Sequence, residues 1–114
     1  MRAFRIMLVA MWAILVAYTV TVISRHGWGL LGVFFGDMRA MSWPGQFNLD
    51  FMILLALSGL WVAWRHAFSR AGVLLGVTAF FGGALFLTAY LFVASLVAKG
   101  DPKEVLLGKM RAAR

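Results

Sequence analysis

The densest group of side chains able to do chemistry in this chain is Gln46, Asn48 and Asp50. They alternate in sequence, so an extended backbone would put all three on one side, whereas a helix would align only Gln46 with Asp50. Asp50 matters most, because it opens a long uncharged run, and an acid held within a bilayer is costly enough to mark a candidate functional site. Three roles are open to it. It can be an ordinary carboxylate at the positive end of a helix that starts near Asn48, a favoured N-cap residue. It can bind a proton or cation, or it can meet a partner. Arg25 or Arg39 could pair with it at the same membrane face, for little energy in an exposed setting.

The other candidates carry less. His26 and His66 terminate different apolar runs and are expected on opposite faces of the membrane. They cannot clamp one haem together, and neither has a second ligand at metal-binding spacing. No metal and no cofactor is expected. Cysteine is absent, which excludes disulfides, thiolate metal sites and cysteine nucleophiles. Thr19, Thr21, Thr78 and Thr88 lie in apolar runs, where a threonine hydroxyl bonds back to its own helix. Tyr90, a turn after Phe86, is expected to pack on the first helix or to line a lipid groove. No nucleotide loop, nucleophile elbow, zinc motif or paired catalytic carboxylate occurs. The reading is therefore not an enzyme.

The elements that must position these residues are set by apolar runs. Residues 6–24, 51–64 and 72–98 carry no charge, and about 20 apolar residues cross a hydrocarbon core of about 30 Å. Hydrophobic residues make up 63% of the chain and charged ones 13%, too apolar a balance for a water-soluble domain of this size. The fold class is an all-α membrane protein with three transmembrane helices, at about 5–24, 48–64 and 71–98. The first run exceeds the core of a signal peptide and precedes no small-x-small cleavage site, so it reads as a retained anchor. The connector 25–47 is apolar in its own right. Trp28, Phe34, Phe35 and Trp43 suit the headgroup layer, and Ser42-Trp43-Pro44-Gly45 reads as a turn. In the basic tail 99–114, Asp101-Pro102-Lys103-Glu104 supplies an N-cap, a proline at the first helical position and an acid at the third. That start predicts a helix over about 102–112, lying on anionic lipid or frayed.

Small residues recur at helical spacing in every run: Ala10, Ala13 and Ala17; Ala56, Gly59 and Ala63; Gly72, Gly76, Ala79 and Gly83. In lipid, close backbone approach along such stripes holds helices together. They are expected to pack the bundle internally, with a partner protein or a second copy as the alternative. The net charge of +7 does not point to nucleic acid, since the basic residues sit at the ends of apolar runs rather than on one polar face. Three crossings put the N-terminus and the 65–70 connector on one side and the tail on the other. Because the first helix and short loops dominate insertion, the N-terminus is expected in the cytoplasm.

The stretch Gln46-Phe47-Asn48-Leu49-Asp50-Phe51 leads into Leu60-Trp61-Val62-Ala63-Trp64-Arg65-His66, and a glycine-containing span ends in Leu85-Phe86-Leu87-Thr88-Ala89-Tyr90-Leu91. This pattern, over about residues 12–92, resembles a group of small bacterial three-span membrane proteins known as a domain of unknown function. The resemblance implies three helices in a bacterial inner membrane and carries over no activity and no catalytic residue; the tail after Lys99 is outside it. The function expected is a non-enzymatic accessory or assembly component that contacts the lipid bilayer and another membrane protein or its own copies. The competing readings are an oligomeric small transporter or ion conductor using Asp50, and lipid or quinone binding by 28–35.

Overall fold

The computed structural model describes residues 1–113. Among them the chain is helical throughout: α1 (Arg2–His26), α2 (Leu30–Arg39), α3 (Trp43–Arg65), α4 (Arg70–Val97), α5 (Pro102–Leu107) and α6 (Lys109–Ala112). The helices α1, α3 and α4 are each long and apolar enough to cross a membrane.

α3 begins at Trp43 rather than near Asn48, with Ser42 at its N-cap and Pro44 in its first turn. Proline is tolerated there because the first amides of a helix have no partner within it. Pro44-Gly45 therefore starts the helix instead of forming a free turn, and Asn48 is an interior residue. α2 folds back along these first turns. Asn48 Nδ2 donates to the carbonyl of Phe34 at 3.0 Å, and Gly45 lies so close to α2 that an added Cβ would be 2.9 Å from the Met38 Cα. At about 1.5 Å per residue, Trp43 and Arg65 are about 33 Å apart, close to the thickness of a hydrocarbon core.

α3 and the start of α4 form an antiparallel pair. A Cβ on Gly59 would lie 2.7 Å from the Gly76 carbonyl oxygen, and one on Gly76 would lie 2.6 Å from that of Gly59. Gly59, Ala63, Gly72, Gly76, Ala79 and Gly83 are all buried, so the small residues of these two helices form one seam, as the spacing predicts. The stripe in α1 differs: Ala10, Ala13 and Ala17 are exposed, as is Ala56 in α3. Leu8 is the buried residue of α1, while Ile14 and Tyr18 are 70% and 71% exposed.

The third apolar helix is not straight. Gly83 has φ 59° and ψ −146°, a break inside α4 in a region that only glycine populates readily. Its neighbours there are Phe51 and Leu55, in the first half of α3. Beyond the break the chain turns back, so that Tyr90 meets Trp61, Arg65 and His66 at the far end of α3. A straight helix would separate residues 70 and 90 by about 30 Å. The two halves, 70–82 and 84–97, are each about 20 Å long, and they leave and return on the same side. α1 packs antiparallel to the second half, with Arg5 bonded to Ser95. Both ends of the described chain therefore lie at one pole of the molecule. The expectation that the tail sits opposite the N-terminus does not hold, because it assumed an unbroken third helix.

That pole gathers Arg2, Arg5, Arg65, Arg70, Lys99, Lys103, Lys109 and Arg111 with Asp101 and Glu104, whereas the opposite pole holds Arg25 and Arg39 with Asp37. The molecule measures 48 × 27 × 23 Å along its principal axes.

Candidate functional site

Asp50 lies two turns inside α3, about 10 Å along the axis from Trp43 and about 22 Å from Arg65. Both Asp50 and Gln46, one turn apart on the same helix face, are exposed. Gln46 also lines an open depression of about 270 Å³ with Met41, Ser42 and Trp43. Asn48 points elsewhere, toward α2 and the Phe34 carbonyl. The structure thus separates the trio into an outward pair, Gln46 and Asp50, and an inward clasp. Asp50 is not in the first turn, so relief from the helix end is weaker than the sequence suggests, since that effect fades within one turn.

The aromatic connector is shared between two settings. Trp28 and Trp43 are 83% and 73% exposed, flanking α2, and Trp43 packs beside Phe47 at 6.2 Å between centroids. Phe34 is half-buried against α3 and meets Phe35 edge to face at 5.2 Å.

A second cluster, not singled out by the sequence, occupies the basic pole. Arg65 donates from Nε to the Val105 carbonyl at 2.7 Å, from Nη2 to that of Glu104 at 3.2 Å and from Nη1 to the Tyr90 hydroxyl at 3.0 Å. Trp61 Nε1 donates to the Leu106 carbonyl at 3.1 Å. These carbonyls belong to the last turn of α5, where helix carbonyls run out of intrahelical donors; that of Glu104 also accepts from the Gly108 amide at 2.9 Å. In return, Arg111 Nη1 donates to the Trp64 carbonyl in the last turn of α3, and its guanidinium lies 4.1 Å above the Trp64 ring. Each helix end thus satisfies the other with a cation, the favourable charge at a helix C-terminus.

The tail reaches this position by two local devices. Asp101 caps α5 by accepting from the Lys103 amide at 3.1 Å, as its sequence predicts. Gly108, at φ 83°, then breaks the predicted helix over 102–112 into α5 and α6. It lies directly against the Arg65 backbone, where a side chain has no room. The tail docks on α3 instead of spreading on lipid.

Tyr90 is held by Phe86, stacked at 5.7 Å, and by Trp61, edge-on at 6.2 Å. It therefore packs against α3, not on α1. Its hydroxyl is 2.6 Å from His66 Nε2. Since Arg65 donates to that oxygen, the phenol proton is directed at Nε2, which accepts as a neutral imidazole. Burial, and then the neighbouring Arg65 charge, hold the His66 pKa below its ordinary value of 6.5. The cluster is a latch of satisfied groups, with no nucleophile left open.

His26 is at the opposite pole, as expected, and no group of three or more metal-ligating side chains occurs among the described residues. Thr21, Thr78 and Thr88 each bond to the carbonyl four residues back. Comparison of the chain with protein-family models, with curated proteins and with solved structures finds no match.

Proposed function

We propose that this protein is a non-enzymatic accessory or assembly component of a bacterial inner membrane, acting through a lateral contact with another membrane protein. The observation that carries this reading is Asp50: an acid exposed two turns inside a helix long and apolar enough to cross a membrane. A charge at mid-bilayer costs about 2.5–3.5 kcal/mol on insertion scales and less nearer a helix end, so a complementary group on a neighbouring helix stabilises it. Gln46 extends the same face by one turn. The unburied Ala10, Ala13 and Ala17 of α1 add a second surface suited to close helix contact. The concentration of Lys and Arg at the pole that holds both ends supports a cytoplasmic N-terminus, with the tail on that same side.

A photo-crosslinking residue in place of Leu54, one turn from Asp50, tests the contact in membranes at native expression. The expected result is one discrete adduct with another membrane protein, lost when Asp50→Asn is added. Absence of an adduct, or one indifferent to Asp50→Asn, overturns the reading. An adduct with a second copy of the chain instead favours an oligomeric transporter or ion conductor. In that case Asp50→Asn should abolish proton or cation flux in vesicles.

A further inference from the structure

Arg5, Leu8, Val9 and Trp12 follow one another at helical spacing along one face of α1. Opposite them, in the second half of α4, stand Thr88, Ala89, Phe92 and Val93, and between the two helices runs a groove of about 290 Å³. That volume suits part of one hydrocarbon chain more than a drug-sized ligand, whose pockets span about 300–1,000 Å³. The groove makes no polar demand, because the Thr88 hydroxyl is turned back to the Ala84 carbonyl at 2.7 Å.

Its end at the basic pole is different. Arg5 Nε donates to Ser95 Oγ at 2.9 Å and Nη2 to the Ser95 carbonyl at 2.8 Å. The Ser95 hydroxyl itself donates to the Phe92 carbonyl at 2.7 Å, and Ser95 is fully buried. These bonds fix the guanidinium against Ser95, just beyond the groove lining, while leaving Nη1 and one Nη2 proton without a role in them. Arg2 is one turn earlier on α1. Lys99 precedes Gly100, whose added Cβ would lie 3.3 Å from the Met1 Cβ and 4.0 Å from Arg5 Nη2. The apolar groove thus ends one turn short of Arg5, with the exposed Arg2 and Lys99 at the same pole.

We propose that this groove binds an acidic phospholipid of the adjacent leaflet, with one acyl chain between α1 and the second half of α4. Its headgroup phosphate meets the free edge of Arg5, flanked by Arg2 and Lys99. A net-anionic lipid is the occupant because each cation near the surface attracts it, whereas a zwitterionic headgroup carries a compensating charge. The site is remote from Asp50 and independent of any protein partner.

Native mass spectrometry of the full chain, delipidated and then supplied with phosphatidylglycerol or phosphatidylcholine of identical chains, tests this. The expected result is one retained phosphatidylglycerol, favoured over phosphatidylcholine by at least about fivefold. Arg2→Gln with Lys99→Gln should remove that preference, and Ala89→Trp, which fills the groove from an exposed position, should remove the bound lipid. Unfolding temperature in lipid-free detergent checks that the variants are folded. Equal retention of the two lipids, or undiminished retention by folded Ala89→Trp, overturns the proposal.

Discussion

The Tyr90 hydroxyl accepts from Arg65 and faces His66 Nε2 at 2.6 Å, so one oxygen joins both halves of the basic pole. Tyr90→Phe leaves Arg65 Nη1 and His66 Nε2 without that partner. The expected cost is about 1–2 kcal/mol, seen as a lower unfolding temperature in detergent with α-helical content unchanged by circular dichroism. His66 adds a pH dependence of definite sign. Its folded pKa is below 6.5, so the unfolded chain takes up the proton first as pH falls. Stability is therefore complete above about pH 6.5 and declines below it until the folded pKa is passed. Thermal unfolding between about pH 7.5 and pH 5.5 should show that fall, and His66→Gln should be lower but flat across the window. Sequence reading located the anchors Arg65 and His66 but not their convergence with Tyr90. Residues 66 and 90 are too distant along a straight helix to meet, and only the break at Gly83 joins them.

At the scale of the helices, two glycines decide what the periodic pattern leaves open. The three apolar helices, the small-residue stripes of α3 and α4 and the Asp101 cap are legible, because hydropathy, small-residue spacing and capping chemistry are local signals; which glycines meet is not. The break in α4 was not. Gly82-Gly83 sits inside an unbroken apolar run, where glycine is common in membrane helices, and nothing nearby is polar. The sign of φ at Gly83 is imposed by packing against Phe51 and Leu55, which are far away in sequence. The start of α3 was misjudged for a related reason: Pro44-Gly45 is a turn signal in most contexts, yet Pro also suits a first helical turn. Gly83→Ala should cost about 1–3 kcal/mol through its backbone angles alone. Gly76→Leu should prevent the α3–α4 contact, because a Cβ there already lies 2.6 Å from the Gly59 carbonyl oxygen, read as a lower unfolding temperature in detergent. Gly108→Ala should free the tail, because its side chain meets the Arg65 carbonyl; limited trypsin digestion after Lys99 or Lys103 would then quicken.

For the whole molecule, the fold makes a prediction about sidedness. α1 and α3 are each long and apolar enough to cross a membrane, the two halves of α4 leave and return on one side, and the described ends share one pole. Cysteines placed singly at Ala3 and Ala113 should therefore react with an impermeant maleimide from the same side of sealed vesicles, and one at Gly29 from the other. Labelling of Ala3 and Ala113 from opposite sides would mean that α4 crosses straight. The Gly83→Ala variant is the informative companion, because it removes the one residue that accommodates the bend without strain and should move part of the tail label across.

The bend has a consequence for how the protein is made. As α4 leaves the ribosome, Arg70 is followed by 27 uncharged residues, which an insertion machinery reading hydropathy alone would thread through the bilayer. The returned form becomes favourable only once α3 is in place, with Gly59 ready for Gly76 and the α3 terminus ready for Arg111. Biogenesis of this chain is then a competition between a fast outcome dictated by hydropathy and a later one dictated by packing. With the basic pole on the cytoplasmic side, as proposed above, the tail favours the returned form, since threading α4 outward would carry Lys99, Lys103, Lys109 and Arg111 across the membrane.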